Sequence, residues 1–551
     1  MNVTYWENCL FLVDMTFDNC ECDSDNRGMA HYSLHQLINT WQTFVADTDF
    51  PTPPDFDQSD VRFGRFIEDS REVQPGDCFF ARVRPYSDGH PFIAKAIDLG
   101  AVLVIAQNSA ETLDITVPEH VTYWHVPDTA IVLTWMAAAA YNFPGAGMNV
   151  IGVTGTDGKT SIANLLYEIL MTAGFKTGMV STIKAVIGDY EEPTGLHVTT
   201  PQAPEVQALL RRMADDGVTH CILEATSMGL AEHRVDTAFF NVAVVSNITH
   251  EHLDYHGDYA QYLAAKARLF ELATDARILN RDDQSFEALH GLPGVKPLVY
   301  SIDAPDSAEI SASNIHYTAQ GTQFNLVIGD TYLPVLTPLA GKFTVYNMLA
   351  SAGAAHALGV SNAQIKAGLE AVAIISGRME RIDRGQPFQV IVDFAHTPNA
   401  LAKAIEAARG MTDGRIITVF GSAGRRDVAK RRLMAEFSAE LADLTILTAE
   451  DPRGEPLDAI LGMMAAGCER KGGVEGATFW RIPDRGRAIF HALTLAQPAD
   501  LVLICGKGHE QSMCFVTTEY PWDDREATRA ALDAFLANES APNLGLPTYA
   551  A

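Results

Sequence analysis

Short apolar runs recur along most of the chain. Each closes on a Gly-, Asp- or His-bearing turn and gives way to a segment whose apolar positions fall three and four apart. That alternation is the βα rhythm of a mostly parallel sheet with helices on its faces. It is clearest at 149–161, NVIGVTGTDGKTS, where Val150, Ile151 and Val153 lead through Gly155 and Gly158 into a helix predicted over 161–173, with Leu165, Leu166, Ile169 and Leu170 inward. Apolar strands also end at Glu224, before the 246–256 turn, at Asp393 and His396, and in the charged loops after 416–420, 444–447 and 501–505. Residues 312–335 alternate as paired strands (HYTAQGTQFNLV, then TYLPV) turning at Gly329-Asp330, while 130–143, 259–273 and 341–358 read as helices. The pattern divides into an extension over 1–55 closing on PTPPDF, a small α/β unit over 56–145, a central unit over 146–375 and a third α/β unit over 376–551.

The turn at 155–161 carries the most specific chemistry. Its glycines let backbone N–H groups curl around phosphate oxygens, and a following helix N-terminus adds a favourable dipole. Lys159 reaches the outer phosphates, and the Thr160 hydroxyl is placed for Mg²⁺. In a parallel sheet the strand C-termini open onto the ligand crevice, so Glu224 and the cluster His250, Glu251, His252, Asp254 and His256 converge on the same place. Lys266 lies three residues after Leu263 and four before Phe270, on the inward stripe of its helix. An amine there has a lowered pKa and is catalytic, paired with a carboxylate, covalently modified, or snorkelling outward. Arg425, Arg426, Lys430, Arg453, Lys507 and Glu510 gather on loops of the third unit, a set suited to carboxylates and one amine.

Composition narrows this picture. At 551 residues the chain exceeds one domain, and a formal net charge of −29 opposes a general nucleic-acid surface without forbidding an anionic ligand in a local site. Cys9, Cys20, Cys22, Cys78, Cys221, Cys468, Cys505 and Cys514 show no CxxC or zinc spacing; Cys20 and Cys22 read as surface thiols or a metal pair. There is no basic-then-apolar start and no long charge-free span, so a cytoplasmic, non-membrane protein is expected. The third unit lacks GxGxxG, which argues against NAD(P). Together these features predict an ATP- and Mg²⁺-dependent carboxylate–amine ligase working through an acyl-phosphate; a P-loop motor or switch is the competing class.

The chain resembles the Mur ligase family over about residues 60–535. The resemblance rests on DSREVQPGDCFFA, GTDGKTS, HVTTP, EATSMGLAEHR, THEHLDYHG with AAKARLF, GRME, VDFAHTPNAL, FGSAGRRDVAKR, EDPRGEP, DRGRAI and GKGHE. It implies three α/β domains: a small one for a uridine nucleotide, a central P-loop-type one for ATP, and a Rossmann-like one for the incoming amino acid. By resemblance, Gly155, Thr156, Gly158, Lys159, Thr160, Ser161, Asn347, Arg378, Asp393 and His396 bind ATP. Thr160, Glu224, His252 and a carbamylated Lys266 serve Mg²⁺, with Lys159, Glu224, His252 and Lys266 as the catalytic set. Ser70, Thr199, Thr200, Thr226 and Arg234 contact the nucleotide-sugar peptide, and Arg426, Asp451, Arg453, Gly506 and Glu510 select the incoming residue.

The branch most resembled adds the third peptide residue to UDP-N-acetylmuramoyl-L-Ala-D-Glu in peptidoglycan synthesis, acting as a monomer. Arg453 favours a diamino acid with a second carboxylate, meso-diaminopimelate, whereas Asp451, where the family usually has Asn, favours lysine or ornithine. Asp157 for Asn, Met228 for His, Glu232 for Gln and Thr344 for Asn are further departures. The remaining alternatives are a related ligase acting on folate or an amino-acid polymer, and a non-catalytic ATP-binding module.

Overall fold

A computed structural model describes residues 32–194, 199–249, 251, 253–318 and 321–548. The chain forms two compact units, one ending at Asn142 and one beginning at Phe143. In the first, Phe66–Ile67, Cys78–Ala81, Leu103–Ala106 and Thr122–His125 pair in that order as a parallel sheet. The two middle strands are buried along their whole length, as expected where helices cover a parallel sheet. Helix Thr129–Ala140 starts on Asp128, whose carboxylate accepts the N–H groups of Ala130 and Ile131. Helix Leu34–Val45, within the stretch read as an extension, joins this unit by stacking Trp41 on Trp135 at 5.6 Å.

The second unit holds two large sheets. In the first, Thr177–Val180, His220–Glu224, Asn149–Thr154, Phe240–Val245, Ala276–Asn280, Pro297–Ser301 and Ile310–Thr318 lie side by side and parallel, and antiparallel strands extend both edges. Alternate residues face opposite layers, and both layers are apolar. Ile151, Val153, Ile222 and Val244 pack with helices Lys159–Thr172 and Lys342–Ala357. Val150, Cys221, Leu223 and Val245 pack with Ala203–Asp215 and Tyr259–Leu272. The second sheet runs Glu380–Arg381, Gln389–Asp393, Leu501–Cys505, Ile416–Phe420, Leu444–Leu447, Phe479–Arg481 and is parallel beyond its first pairing. This is the expected α/β architecture, with a central mostly parallel sheet and flanking α/β layers.

Two local expectations change. The helix after the phosphate loop begins at Lys159 rather than 161, because Gly158 takes a left-handed conformation (φ 90°) that serves as its N-cap. Lys159 and Thr160 therefore project from the first helical turn. The run read as HYTAQGTQFNLV belongs to two antiparallel strands, Ile310–Thr318 and Gly321–Ile328, because Gly321 (φ 133°) allows a reversal that its period-2 pattern hides. The turn at Gly329-Asp330 falls as predicted, with Ile328 opposite Thr331.

Candidate active site

The phosphate loop is pinned from beneath by the neighbouring strand end. Gly155 (φ 145°) lies against Ser246, where a Cβ would come within 1.9 Å of the Ser246 Oγ; a Cβ on Gly158 would meet Asn347 Oδ1 at 2.5 Å. At the tip, the Asp157 N–H donates to Asn247 Oδ1 (3.3 Å), and its carbonyl accepts from Asn247 Nδ2 (3.1 Å) and Ser246 Oγ. Thr156 N–H donates to Asn247 O at 2.7 Å. Ser246 and Asn247 are loop-shaping residues the sequence reading passed over. Their signal was the one that identified Glu224, a polar residue directly after an apolar strand.

Two lysines converge on the loop's own carbonyls. Lys159 Nζ donates to the carbonyls of Gly155 (3.0 Å) and Thr156 (2.9 Å), and Lys266 Nζ donates to Gly155 O at 2.7 Å. Lys266 is buried as its inward stripe predicted, with its ammonium 4.8 Å from the Tyr262 ring centroid. Burial, and secondarily the charge of Lys159, pushes the Lys266 pKa well below the ordinary lysine value. Snorkelling is thereby excluded, since the side chain ends against main chain inside the fold.

Glu224 is fully buried at its strand end and sits among hydroxyls. Thr160 Oγ1 and Thr182 Oγ1 each donate to Glu224 Oε2 at 3.1 Å, and the Thr182 N–H donates to Oε1 at 3.1 Å. Burial raises the Glu224 pKa, with Lys159 and these donors working against that rise. Thr160 and Glu224 thus form a hydroxyl–carboxylate pair of the kind that holds Mg²⁺ beside nucleotide phosphates. Among the described residues no three His, Cys, Asp or Glu side chains cluster as a metal cage. His252, predicted as a ligand, and His250 lie outside the described residues.

Next to Glu224, the Thr182 and Thr199 hydroxyl oxygens lie 3.1 Å apart, and Thr200 donates to the Glu224 carbonyl at 2.8 Å. Thr226 N–H and Oγ1 both reach the Thr200 hydroxyl at 3.0 Å, and Arg234 donates to Thr200 O at 3.0 Å while pairing with Glu232. The predicted peptide-contacting residues of this unit therefore adjoin Thr160. Ser70, in the first unit, is buried.

On the other side, Arg378 Nη2 donates to Thr160 Oγ1 at 3.2 Å, its guanidinium 4.5 Å over the Phe394 ring. Arg378, Asn347 and Ser161 line one small cleft with Leu165, Leu339 and Phe343, an apolar slot beside the phosphate loop. Asp393, expected to face the nucleotide, is turned to main chain: its oxygens accept Met379 N–H (2.7 Å) and Ala395 N–H (2.8 Å), which fixes the turn carrying Arg378. His396, also expected there, has its Nε2 3.7 Å from Glu251 and its Nδ1 beside Phe394 O.

The loops of the second sheet gather around a buried lysine. Lys507 Nζ lies 2.9 Å from Asp451 Oδ1 and 2.5 Å from Glu510 Oε2. Although burial pulls its pKa down, these two carboxylates hold Lys507 above its ordinary value. Asp451 Oδ1 also accepts the Cys514 N–H at 3.0 Å. Arg453 (φ 52°) is fixed by main-chain bonds, its N–H to Cys514 O (3.0 Å) and its carbonyl from Val516 N–H (2.6 Å). Gly506 (φ 114°) lies where a Cβ would come within 2.5 Å of Glu450 Oε2, and Arg426 is exposed. Beneath these loops the wholly buried Arg485 pairs with Asp524 (2.7 and 2.6 Å) and donates to the carbonyls of Ala449 and Cys505. That brace was not anticipated, because its partners lie far apart in sequence.

Comparison with known proteins agrees with this geometry. The family profiles described as Mur ligase middle domain and Mur ligase, glutamate ligase domain match residues 153–355 and 377–508. A UDP-N-acetylmuramyl-tripeptide synthetase of Roseiflexus sp. (strain RS-1) is 40% identical over 482 residues, spanning 85% of this chain and 94% of the relative. The UDP-N-acetylmuramoyl-L-alanyl-D-glutamate–2,6-diaminopimelate ligase of Alkaliphilus metalliredigens (strain QYMF) is 37% identical over 459 residues, spanning 83% and 90%. A solved structure of a UDP-N-acetylmuramoyl-L-alanyl-D-glutamate–2,6-diaminopimelate ligase superposes with a TM-score of 0.58 at 30% identity, covering 86% of this chain and 95% of that one. The chain belongs to the Mur ligase family of ATP-dependent, amide-bond-forming ligases.

Proposed function

We propose that this enzyme joins meso-diaminopimelate to UDP-N-acetylmuramoyl-L-Ala-D-Glu in peptidoglycan synthesis, as a cytoplasmic monomer. The observation that carries the choice of acceptor is the state of Asp451. Its carboxylate is already engaged by Lys507 and the Cys514 N–H, so it adds no free negative charge to attract a side-chain ammonium. Arg453 and Arg426 then leave the acceptor loops with a positive bias, suited to a second carboxylate. The diaminopimelate-ligase names of several relatives support the same reading. Lysine is the second reading, favoured by the aspartate itself at the usual asparagine position.

In this mechanism Lys159 and the loop N–H groups hold the ATP phosphates, and Asn347 and Arg378 flank the nucleotide in their cleft. Thr160 and Glu224 would hold Mg²⁺, which when bound would offset charge on the transferring phosphoryl group. The substrate carboxylate attacks the γ-phosphorus, the bond to ADP breaks, and an acyl-phosphate results. The amine lone pair then attacks the acyl carbon, phosphate leaves with the C–O bond electrons, and the nitrogen sheds its extra protons as the amide forms. Lys266 is suited to carbamylation: its neutral amine attacks CO₂, one proton leaves, and the new carboxylate serves the second cation. The carbamate nitrogen keeps one N–H, so the bond to Gly155 O survives the modification.

The test is phosphate release with the nucleotide dipeptide, ATP and one amino acid at a time. Release with diaminopimelate well above lysine or ornithine is expected. Release with lysine alone assigns the second reading, and release indifferent to any amino acid rejects the ligase assignment. Intact-mass measurement under bicarbonate tests the carbamate, with one added CO₂ on the wild type and none on Lys266→Ala.

A further inference from the structure

The departure at Asp157 is one of the places where the phosphate loop meets the elements of the second sheet. Its main chain is held on the ATP side by Ser246 and Asn247, while its side chain reaches toward the second sheet. There its Oδ2 accepts from Asn399 Nδ2 at 3.3 Å. Asn399 stands in the first turn of helix Pro398–Arg409, capped by Thr397 and packed on the second sheet. A second carboxylate from the ATP side, Glu251, approaches His396 of the same turn at 3.7 Å. Burial, and then Glu251, pushes the Asp157 pKa up, and Lys403, one helical turn beyond Asn399, works against that rise. Two acids on the nucleotide side thus face an amide, an imidazole, a lysine and a helix N-terminus on the acceptor side, an arrangement complementary in charge and in dipole.

We propose that Asp157 is a positioning residue that latches the phosphate loop to helix Pro398–Arg409, so that nucleotide seated on the loop steadies the turn 393–399 and, through it, the acceptor half. The inference rests on ATP binding at this loop but not on which amino acid is added. An alanine removes the latch and leaves Lys159, Thr160 and the main-chain phosphate cradle in place. An asparagine keeps a hydrogen-bonding group of the same shape.

The experiment is hydrogen–deuterium exchange of helix Pro398–Arg409 with and without Mg²⁺-ATP, alongside nucleotide affinity and steady-state kinetics, for wild type, Asp157→Ala, Asp157→Asn and the exchange Asp157→Asn/Asn399→Asp. In the wild type, nucleotide should slow exchange in the first turns of that helix. Asp157→Ala should lose this protection and about tenfold in kcat, the size of one buried hydrogen bond, with ATP affinity within about threefold. Asp157→Asn and the exchanged pair should recover most of both. Full protection in Asp157→Ala, or an affinity loss as large as the kcat loss, overturns the latch while ATP binding stands. A wild type that binds no ATP overturns the functional reading as well.

Discussion

Three buried or half-buried lysines separate the nucleotide side of the molecule from the acceptor side. Lys159 and Lys266 end on main-chain carbonyls of the phosphate loop, whereas Lys507 is gripped by Asp451 and Glu510. The pKa directions follow: burial drives Lys266 down, and two carboxylates hold Lys507 up against burial. A carbonyl contact is easily exchanged for a phosphate oxygen, so the positive charge beside the loop is available to ligand. At the loops of the second sheet the charge of Lys507 is consumed in joining two of them, and in the proposed reading recognition of the acceptor falls to the arginines.

The comparison breaks most visibly at the nucleotide side. Lys159→Ala should lower ligase turnover by about a hundred- to thousandfold, as expected for a group aimed at charge developing in transfer, and chelation of Mg²⁺ should stop turnover altogether. Both are read as phosphate release with saturating acceptor, and a loss below tenfold for Lys159→Ala would contradict its placement. Lys266→Ala should lose comparable activity, with partial recovery in formate or acetate if a carbamate carboxylate is what is missing.

On the acceptor side the largest effect should be on stability. Removing Arg485 leaves Asp524 buried without its partner, a loss of about 3–5 kcal/mol, seen as a lower urea midpoint. Arg453→Ala should leave the midpoint alone and raise KM for diaminopimelate by about ten- to a hundredfold, with little change for lysine. Equal losses with both amino acids would remove Arg453 from acceptor selection. The smallest effect belongs to Arg384→Ala, whose pairing with Asp533 lies at the surface, and no shift of the midpoint should be detected.

The legible parts of the site share one property, that their chemistry is local in sequence. Strand, glycine turn and helix lie within one stretch, so the proposed phosphate grip of Gly155, Gly158, Lys159 and Thr160 is read from spacing alone, and the place of Glu224 beside Thr160 from its standing at a strand end. Lys266 was legible because helical periodicity turns it inward. Asp393 shows what a strand end leaves open: a carboxylate there also holds the loop when the next turn presents N–H groups to it, and here Met379 and Ala395 present theirs. The family resemblance supplied what periodicity lacks, the assignment of loops far apart to one reaction.

Residues 149–161 by themselves determined a strand, a glycine turn and a helix, and the βα rhythm determined a mostly parallel sheet, because both depend on neighbours a few residues away. Only the tertiary structure decided that Asp451 is neutralised by Lys507, that Arg485 and Asp524 brace the acceptor loops, and that Asp157 reaches Asn399. Those outcomes depend on burial and on which partner arrives across long loops. The energy of a charge changes sign of effect with such partners, and no local pattern encodes them.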